Sequence, residues 1–165
     1  MSQQPTRRQL TPFLPAAQSA IVESMWQRLD PLQHAIIPAH VTFCRDSGVC
    51  GWQALSEPLV TRGGFSITLQ FGEPQVLPDG CSLLRPARGA GQYQRLRQSI
   101  LGAAARVHGA HVTLLHPRNA TGITCYLAQI APVPAGLAAT FRSMALVEQR
   151  GSGPWLVRRE YGTAV

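Results

Sequence analysis

Apolar and polar positions change their period several times along the chain, and each change predicts an element. Between Pro15 and Leu29, the residues Ile21, Val22, Met25, Trp26 and Leu29 recur at helical spacing. Pro15 suits a first turn, and Asp30-Pro31 ends the helix. The preceding residues are polar and interrupted by proline, so 1–14 read as an extended N-terminal arm, with no strand before the first helix. The apolar run Ile36 to Phe43 predicts a strand, followed by a loop of small and polar residues. Trp52 to Leu59 reads as a short helix or turn closed by Pro58. Phe65 to Phe71 alternates four apolar with three polar residues, as in a sheet buried on one face. A turn over Gly72 to Pro78 leads to a partner strand at Cys81 to Arg85. A second helix is expected over Gln92 to Val107, its apolar stripe running through Leu96, Ile100 and Ala103. The apolar run Ala110 to Leu115 predicts another strand, which Pro117-Arg118-Asn119 breaks. Gly122 to Ile130 is compatible with a short helix or a strand. Phe141 to Gln149 and Trp155 to Tyr161 read as a closing hairpin. Helix, strand and further strands thus occur twice in succession, an α+β pattern with a coarse internal repeat.

One tripeptide is duplicated within that repeat: His40-Val41-Thr42 and His111-Val112-Thr113, 71 positions apart and each inside a predicted strand. Alternation along a strand puts His and Thr on one face and the valine on the other. A single His-x-Thr is a weak pattern, since a strand histidine is commonly a hydrogen-bonded structural residue. Two identical copies, one per lobe, point to a shared groove that holds two imidazoles and two hydroxyls. Imidazole titrates near neutrality and can serve as acid or base, so such a pair suits in-line displacement at a phosphodiester. The two threonine hydroxyls can donate to the non-bridging oxygens and stabilise charge there.

Composition narrows the reading. A chain of 165 residues with 45% hydrophobic content can bury a sizeable core, as one domain over residues 15–165 built from two lobes. The net charge of +7 comes from arginine alone, because the sequence has no lysine. Guanidinium pairs with phosphate through two parallel hydrogen bonds, so the surplus is compatible with a nucleotide or RNA partner. Cys44, Cys50, Cys81 and Cys125 form no CxxC pair, and a disulfide framework is not expected. Thr6-Arg7-Arg8 ahead of an apolar stretch faintly resembles a twin-arginine signal, but Pro12 and Pro15 interrupt it. A cytoplasmic monomer without a membrane span is the expectation.

The two His-x-Thr copies, the run Leu114-Leu115-His116-Pro117 after the second, and the segments Met144 to Glu148 and Trp155 to Val157 resemble the 2H phosphoesterases. The similarity is to their bacterial 2′-5′ RNA ligase-like branch, over roughly Gln18 to Tyr161. The resemblance implies two pseudo-symmetric lobes, whose antiparallel sheets flank a central cleft with helices outside. It also implies metal-independent hydrolysis or transfer at 2′,3′-cyclic phosphates or 2′-5′ linkages of RNA or nucleotides, with no cofactor. His40, Thr42, His111 and Thr113 are then catalytic, with His111 the base in cyclic phosphate hydrolysis. Two departures fall near the first motif: the missing first strand, and Cys44-Arg45-Asp46 where an apolar strand usually continues to a glycine.

Arg45 and Arg118 are candidates to hold phosphate, and Phe43 and Tyr126 to stack a base. His116, five residues after His111, is expected on the opposite face and structural. A zinc set of His108, His111, His116 and Cys125 would span a helix end, a strand and a loop, so no metal is expected. A non-catalytic RNA-binding module of the same fold is the alternative, and a partner-binding protein with incidental histidines is a third reading. Loss of turnover on replacing the two motif histidines separates the first from the others.

Overall fold

The computed structural model describes residues 5–48, 51–102, 105, 109–120 and 136–162. Strand β1 (Thr6–Thr11) leads into helix α1 (Ala16–Leu29) and the single turn α2 (Pro31–His34). A short strand β2 (Cys44–Arg45) and helix α3 (Trp52–Thr61) follow. Next come β3 (Ile67–Val76), β4 (Ser82–Arg88), α4 (Ala90–Leu101) and β5 (Val112–Leu115). The chain closes with β6 (Ala138–Phe141), β7 (Ser143–Arg150) and β8 (Leu156–Gly162). Among the described residues every pairing is antiparallel, in two four-stranded sheets ordered β2-β1-β7-β8 and β5-β4-β3-β6. The architecture is the expected two-lobed α+β fold; the main apolar core draws on both lobes, and a smaller cluster gathers Ile37, Ala145 and Val147.

The lobes are not successive halves of the chain. The first sheet takes β1 from one end and β7 and β8 from the other, while the second is built from the middle. The strand expected over Phe141 to Gln149 is β7, which pairs with β8 as the expected closing hairpin, except that Phe141 ends a separate strand, β6. β6 pairs with β3 in the second sheet, and after Arg142 the chain crosses to pair β7 with β1 in the first. Hydrophobic alternation is the same on either side of such a crossing, so the pattern alone does not reveal it.

The opening residues are a further correction. Thr6–Thr11 is an inner strand paired on both edges, rather than a free arm. Its outer half is exposed and charged, while its inner half buries Gln9, Leu10 and Thr11. The two buried polar side chains satisfy one another: Gln9 Nε2 donates to Thr11 Oγ1 at 3.2 Å. The turn between β3 and β4 also lies later than expected. β3 continues through Gly72 and Pro74 with irregular register, and the reversal comes at Leu77 to Cys81. Gly89 is required where α4 begins: its φ is +90°, and a Cβ there would lie 2.1 Å from the Thr68 carbonyl oxygen.

Candidate active site

Each His-x-Thr copy occupies the edge of its sheet. In the second lobe Thr113 lies on β5 and His111 immediately before it, and Ala110, Val112 and Leu114 turn into the core. In the first lobe Ala39, Val41 and Phe43 are fully buried on one side, leaving His40 and Thr42 on the other. The strand expected over Ile36 to Phe43 is not formed: the segment makes a single bridge, His40 with Phe13, because its neighbour contains Pro12. Val41 N donates to Pro12 O at 3.1 Å, Leu14 N to Ala39 O at 2.9 Å and Phe43 N to Leu10 O at 2.9 Å. Proline has no N–H to return to Val41, and Thr11 Oγ1 donates to the Val41 carbonyl instead, at 2.7 Å. Regular pairing begins only at Cys44–Arg45, in the polar stretch after the motif.

The two imidazoles are held alike. His40 Nδ1 lies 2.8 Å from the Pro38 carbonyl, and His111 Nδ1 lies 2.9 Å from the Gly109 carbonyl, in both cases two residues back. A carbonyl only accepts, so Nδ1 must carry hydrogen and the basic lone pair of the neutral ring belongs to Nε2. His40 stands edge-on to Phe13 and Trp26, with ring centroids 6.4 and 6.5 Å away. Burial drives its pKa down to about 4, aided by the charges of Arg45 and His111 and opposed by the Pro38 carbonyl. His111 is lowered as well, first by burial and then by Arg45 and Arg85, against the Gly109 carbonyl. Arg45 thus acts on both rings, and the two rings lie within electrostatic reach of each other.

The helices brace the motifs crosswise. Trp26, on the helix before the first copy, donates from Nε1 to the Thr113 carbonyl of the second at 3.0 Å. Tyr93, on the helix before the second copy, donates to the Thr42 carbonyl of the first at 2.6 Å. Arg97 Nε donates to the Phe43 carbonyl at 2.8 Å, and Ala39 N to Glu23 Oε1 at 3.0 Å. Both motif backbones are therefore tied to rigid elements, which suits side chains that must hold one geometry.

A cleft of about 320 Å³ opens beside His40 and is lined also by Arg45, Arg118 and His116. The expected phosphate-binding arginines are thus brought to one cavity with a motif imidazole. Phe43 is not: it is fully buried, with Tyr93 edge-on at 5.6 Å and Arg97 over its ring, and cannot stack a base. Tyr126 lies outside the described residues, as do His108 and Cys125. His116 reverses its expectation. Leu83 pairs with Thr113 but Ser82 pairs with Leu115, so a bulge inserts one extra residue into β5. The alternation slips by one, Leu114 and Leu115 are both buried, and His116 comes round to the cleft. Burial and Arg118 lower its pKa, against Asp30.

The sequence marks Asp30 only as a helix end. Its carboxylate is buried and accepts from Gln33 N (3.0 Å), His116 N (2.9 Å) and Asn119 Nδ2 (2.7 Å), fastening the helical layer to the turn after β5.

The lowered His40 pKa has a consequence for stability. The ring is neutral in the folded protein down to about pH 4, whereas the unfolded chain protonates it near pH 6.5. Between those values the unfolded state binds more protons, so unfolding free energy is expected to fall as pH drops from about 6.5 to 4. Urea titrations across that window, on wild type and His40→Gln, check this. The His40→Gln protein should show a shallower pH dependence.

No family model and no curated protein sequence matches the chain. Solved structures do match over nearly the whole length. Escherichia coli LigT complexed with phosphate superposes with a TM-score of 0.62 at 18% identity, covering 98% of this chain and 99% of that one. The same protein complexed with 3′-AMP gives 0.59 at 20% identity, over 98% and 100%. Its complex with ATP gives 0.60 at 17% identity, over 99% and 100%. Two antiparallel four-stranded sheets, matched from end to end, give this chain the two-lobed α+β fold of E. coli LigT.

Proposed function

We propose that this chain is a 2H phosphoesterase whose paired His-x-Thr motifs hydrolyse or transfer a phosphodiester. The substrate class is a 2′,3′-cyclic phosphate or 2′-5′ linkage of RNA or a nucleotide. The observation that carries the reading is the matched anchoring of His40 and His111: each donates from Nδ1 to the carbonyl two residues back and carries its lone pair on Nε2. Neighbouring solved structures of the same fold are complexes of LigT with phosphate, 3′-AMP and ATP, which supports a nucleotide ligand.

The chemistry follows from the residues. For a cyclic phosphate, one Nε2 lone pair takes a proton from the attacking water. The other ring, protonated at Nε2, gives its proton to the departing ribose oxygen. Both rings are biased toward the neutral form in the open cleft, because burial and Arg45 disfavour the cation. The phosphate's own negative charge favours an imidazolium beside it, so the acid acquires its proton as substrate binds. Thr42 and Thr113 donate to the non-bridging oxygens, and Arg45 neutralises charge between the rings. In the hydrolytic direction His111 takes the base role and His40 the acid role, with the roles exchanged in the reverse reaction.

The test is turnover of nucleoside 2′,3′-cyclic phosphates and 2′-5′-linked dinucleotides, with and without a chelator. Formation of a nucleoside monophosphate from the cyclic substrate, undiminished by chelator, is the expected result. Binding of these compounds without turnover would replace this reading by that of a nucleic-acid-binding module.

A further inference from the structure

The cleft continues well past His40. His40 pairs with Phe13, and Arg45 pairs with Gln9 further down the first sheet. Arg7 is two residues beyond Gln9 on the same strand, hence six residues from the register of His40. At ~3.3 Å per residue that is about 20 Å of backbone. Arg7, Arg118 and His116 nevertheless line the same cavity as His40, with Trp155. Trp155 is pinned there by its backbone N–H, which donates to the Ile36 carbonyl at 2.8 Å, and Arg7 lies 5.7 Å over its ring.

The charge of this region exceeds what one reacting phosphate needs. Arg45, itself disfavoured as a cation first by burial, also feels the positive charges of Arg7 and Arg118. Among the described residues, the ion pair of a cleft-lining arginine is that of Arg8 with Glu148, at 3.0 Å, while Arg7 donates a hydrogen bond to the Gln149 side-chain oxygen and keeps its full charge. Asp46, the acidic residue of the wall, is already engaged by Arg8 N at 2.7 Å and Trp52 Nε1 at 2.6 Å. Gln33, nine-tenths buried in the same wall, has an amide oxygen with no hydrogen-bond partner among the described residues. An unmet buried acceptor is costly and is commonly met by a ligand or water.

We propose that Arg7, Arg118 and His116, with Trp155 as an apolar wall, form a subsite for a second phosphate, carried on the 5′ oxygen of the nucleoside whose 2′,3′ side reacts. The inference rests on the phosphodiester reading for which phosphate reacts, but the subsite is a matter of binding. Arg45 serves the reacting phosphate between the imidazoles, and Arg7 and Arg118 serve the one beyond. Gln33 faces the nucleoside between them, where a ribose hydroxyl or base amine can donate to its oxygen. A volume near 320 Å³ falls at the lower end of ligand pockets, which fits one nucleotide with its flanking phosphate.

Calorimetry at low salt tests this without requiring turnover. Adenosine 3′,5′-bisphosphate is expected to bind about tenfold or more tightly than 3′-AMP, since a charge-assisted phosphate contact is worth at least that. In Arg7→Gln that ratio should collapse toward one, and the wild-type ratio should shrink as salt rises. A dinucleotide bearing a 3′-phosphate separates the sources: a gain equal to that of the bisphosphate assigns the subsite to an RNA chain's internal phosphate, and no gain assigns it to a terminal 5′-phosphate. Equal wild-type affinity for 3′-AMP and the bisphosphate would overturn the subsite. A preserved preference in a protein that turns over no cyclic phosphate would overturn the catalytic reading and keep the subsite.

Discussion

Replacing His40 or His111 by alanine is expected to lower kcat on a 2′,3′-cyclic nucleotide by about 10²–10⁴-fold, the usual worth of a positioned proton-transfer group. The reason lies in the anchoring. Each ring is fixed by its Nδ1 contact to a carbonyl of its own segment, so water entering the space left by alanine has no equivalent orientation. Folding should survive, because neither ring is among the fully buried side chains of the core. Thr42→Val and Thr113→Val should each cost less and leave the pH profile in place, since hydroxyls stabilise charge without titrating across it. Steady-state kinetics from pH 4 to 9 check both statements. Wild type should give a bell whose limbs belong to the coupled pair of imidazoles. Turnover by His111→Ala within a few-fold of wild type would show the duplication to be ancestral only.

The second large effect is expected at Asp30. Asp30→Ala removes the acceptor of three hydrogen bonds and leaves two backbone N–H groups and the Asn119 amide without their partner. Each buried donor so stranded costs about 1–3 kcal/mol. Water can reach the half-buried turn at His116 and Asn119, so a total of about 3 kcal/mol is expected. For a chain of this size that lowers Tm by roughly 6–12 °C. The same change frees the turn carrying His116 and Arg118, so KM should rise more than kcat falls. Thermal melts and kinetics on Asp30→Ala test the pair of effects. A change in Tm of a degree or less would show that the carboxylate is not the tie between helix and turn.

Much of this architecture is legible in the residues because burial writes itself as periodicity. Helix α1 announces its buried face through Val22, Met25 and Trp26, and the two motif segments do so through their alternating apolar residues. β1 escapes because its period is masked. Arg7 and Arg8 occupy its exposed half, and the buried half holds Gln9 and Thr11, which are tolerable there only because they hydrogen-bond one another and the Val41 carbonyl. His116 escapes for another reason. A bulge reverses alternation without altering composition, and its one trace in the sequence is the doubled Leu114-Leu115, which cannot both face a core on a regular strand. Phe43 shows the converse: an aromatic beside a catalytic motif invites a stacking role, yet its position alternates with His40 and Thr42 and belongs to the core. The Arg7 and Trp155 wall is assembled from opposite ends of the chain through β1 and the approach to β8, a pairing that no local pattern encodes.

The central claim is that His40 and His111 act on one phosphodiester together. The most direct measurement is the titration of both imidazoles by proton–nitrogen NMR, free and with a nucleoside 3′-monophosphate bound. Free, both rings should be neutral at pH 7 with hydrogen on Nδ1. With nucleotide bound, the resonances of both should move and at least one pKa should rise, because a shared phosphate faces both Nε2 atoms. A nucleotide that binds tightly while shifting one histidine and leaving the other unchanged would contradict the claim.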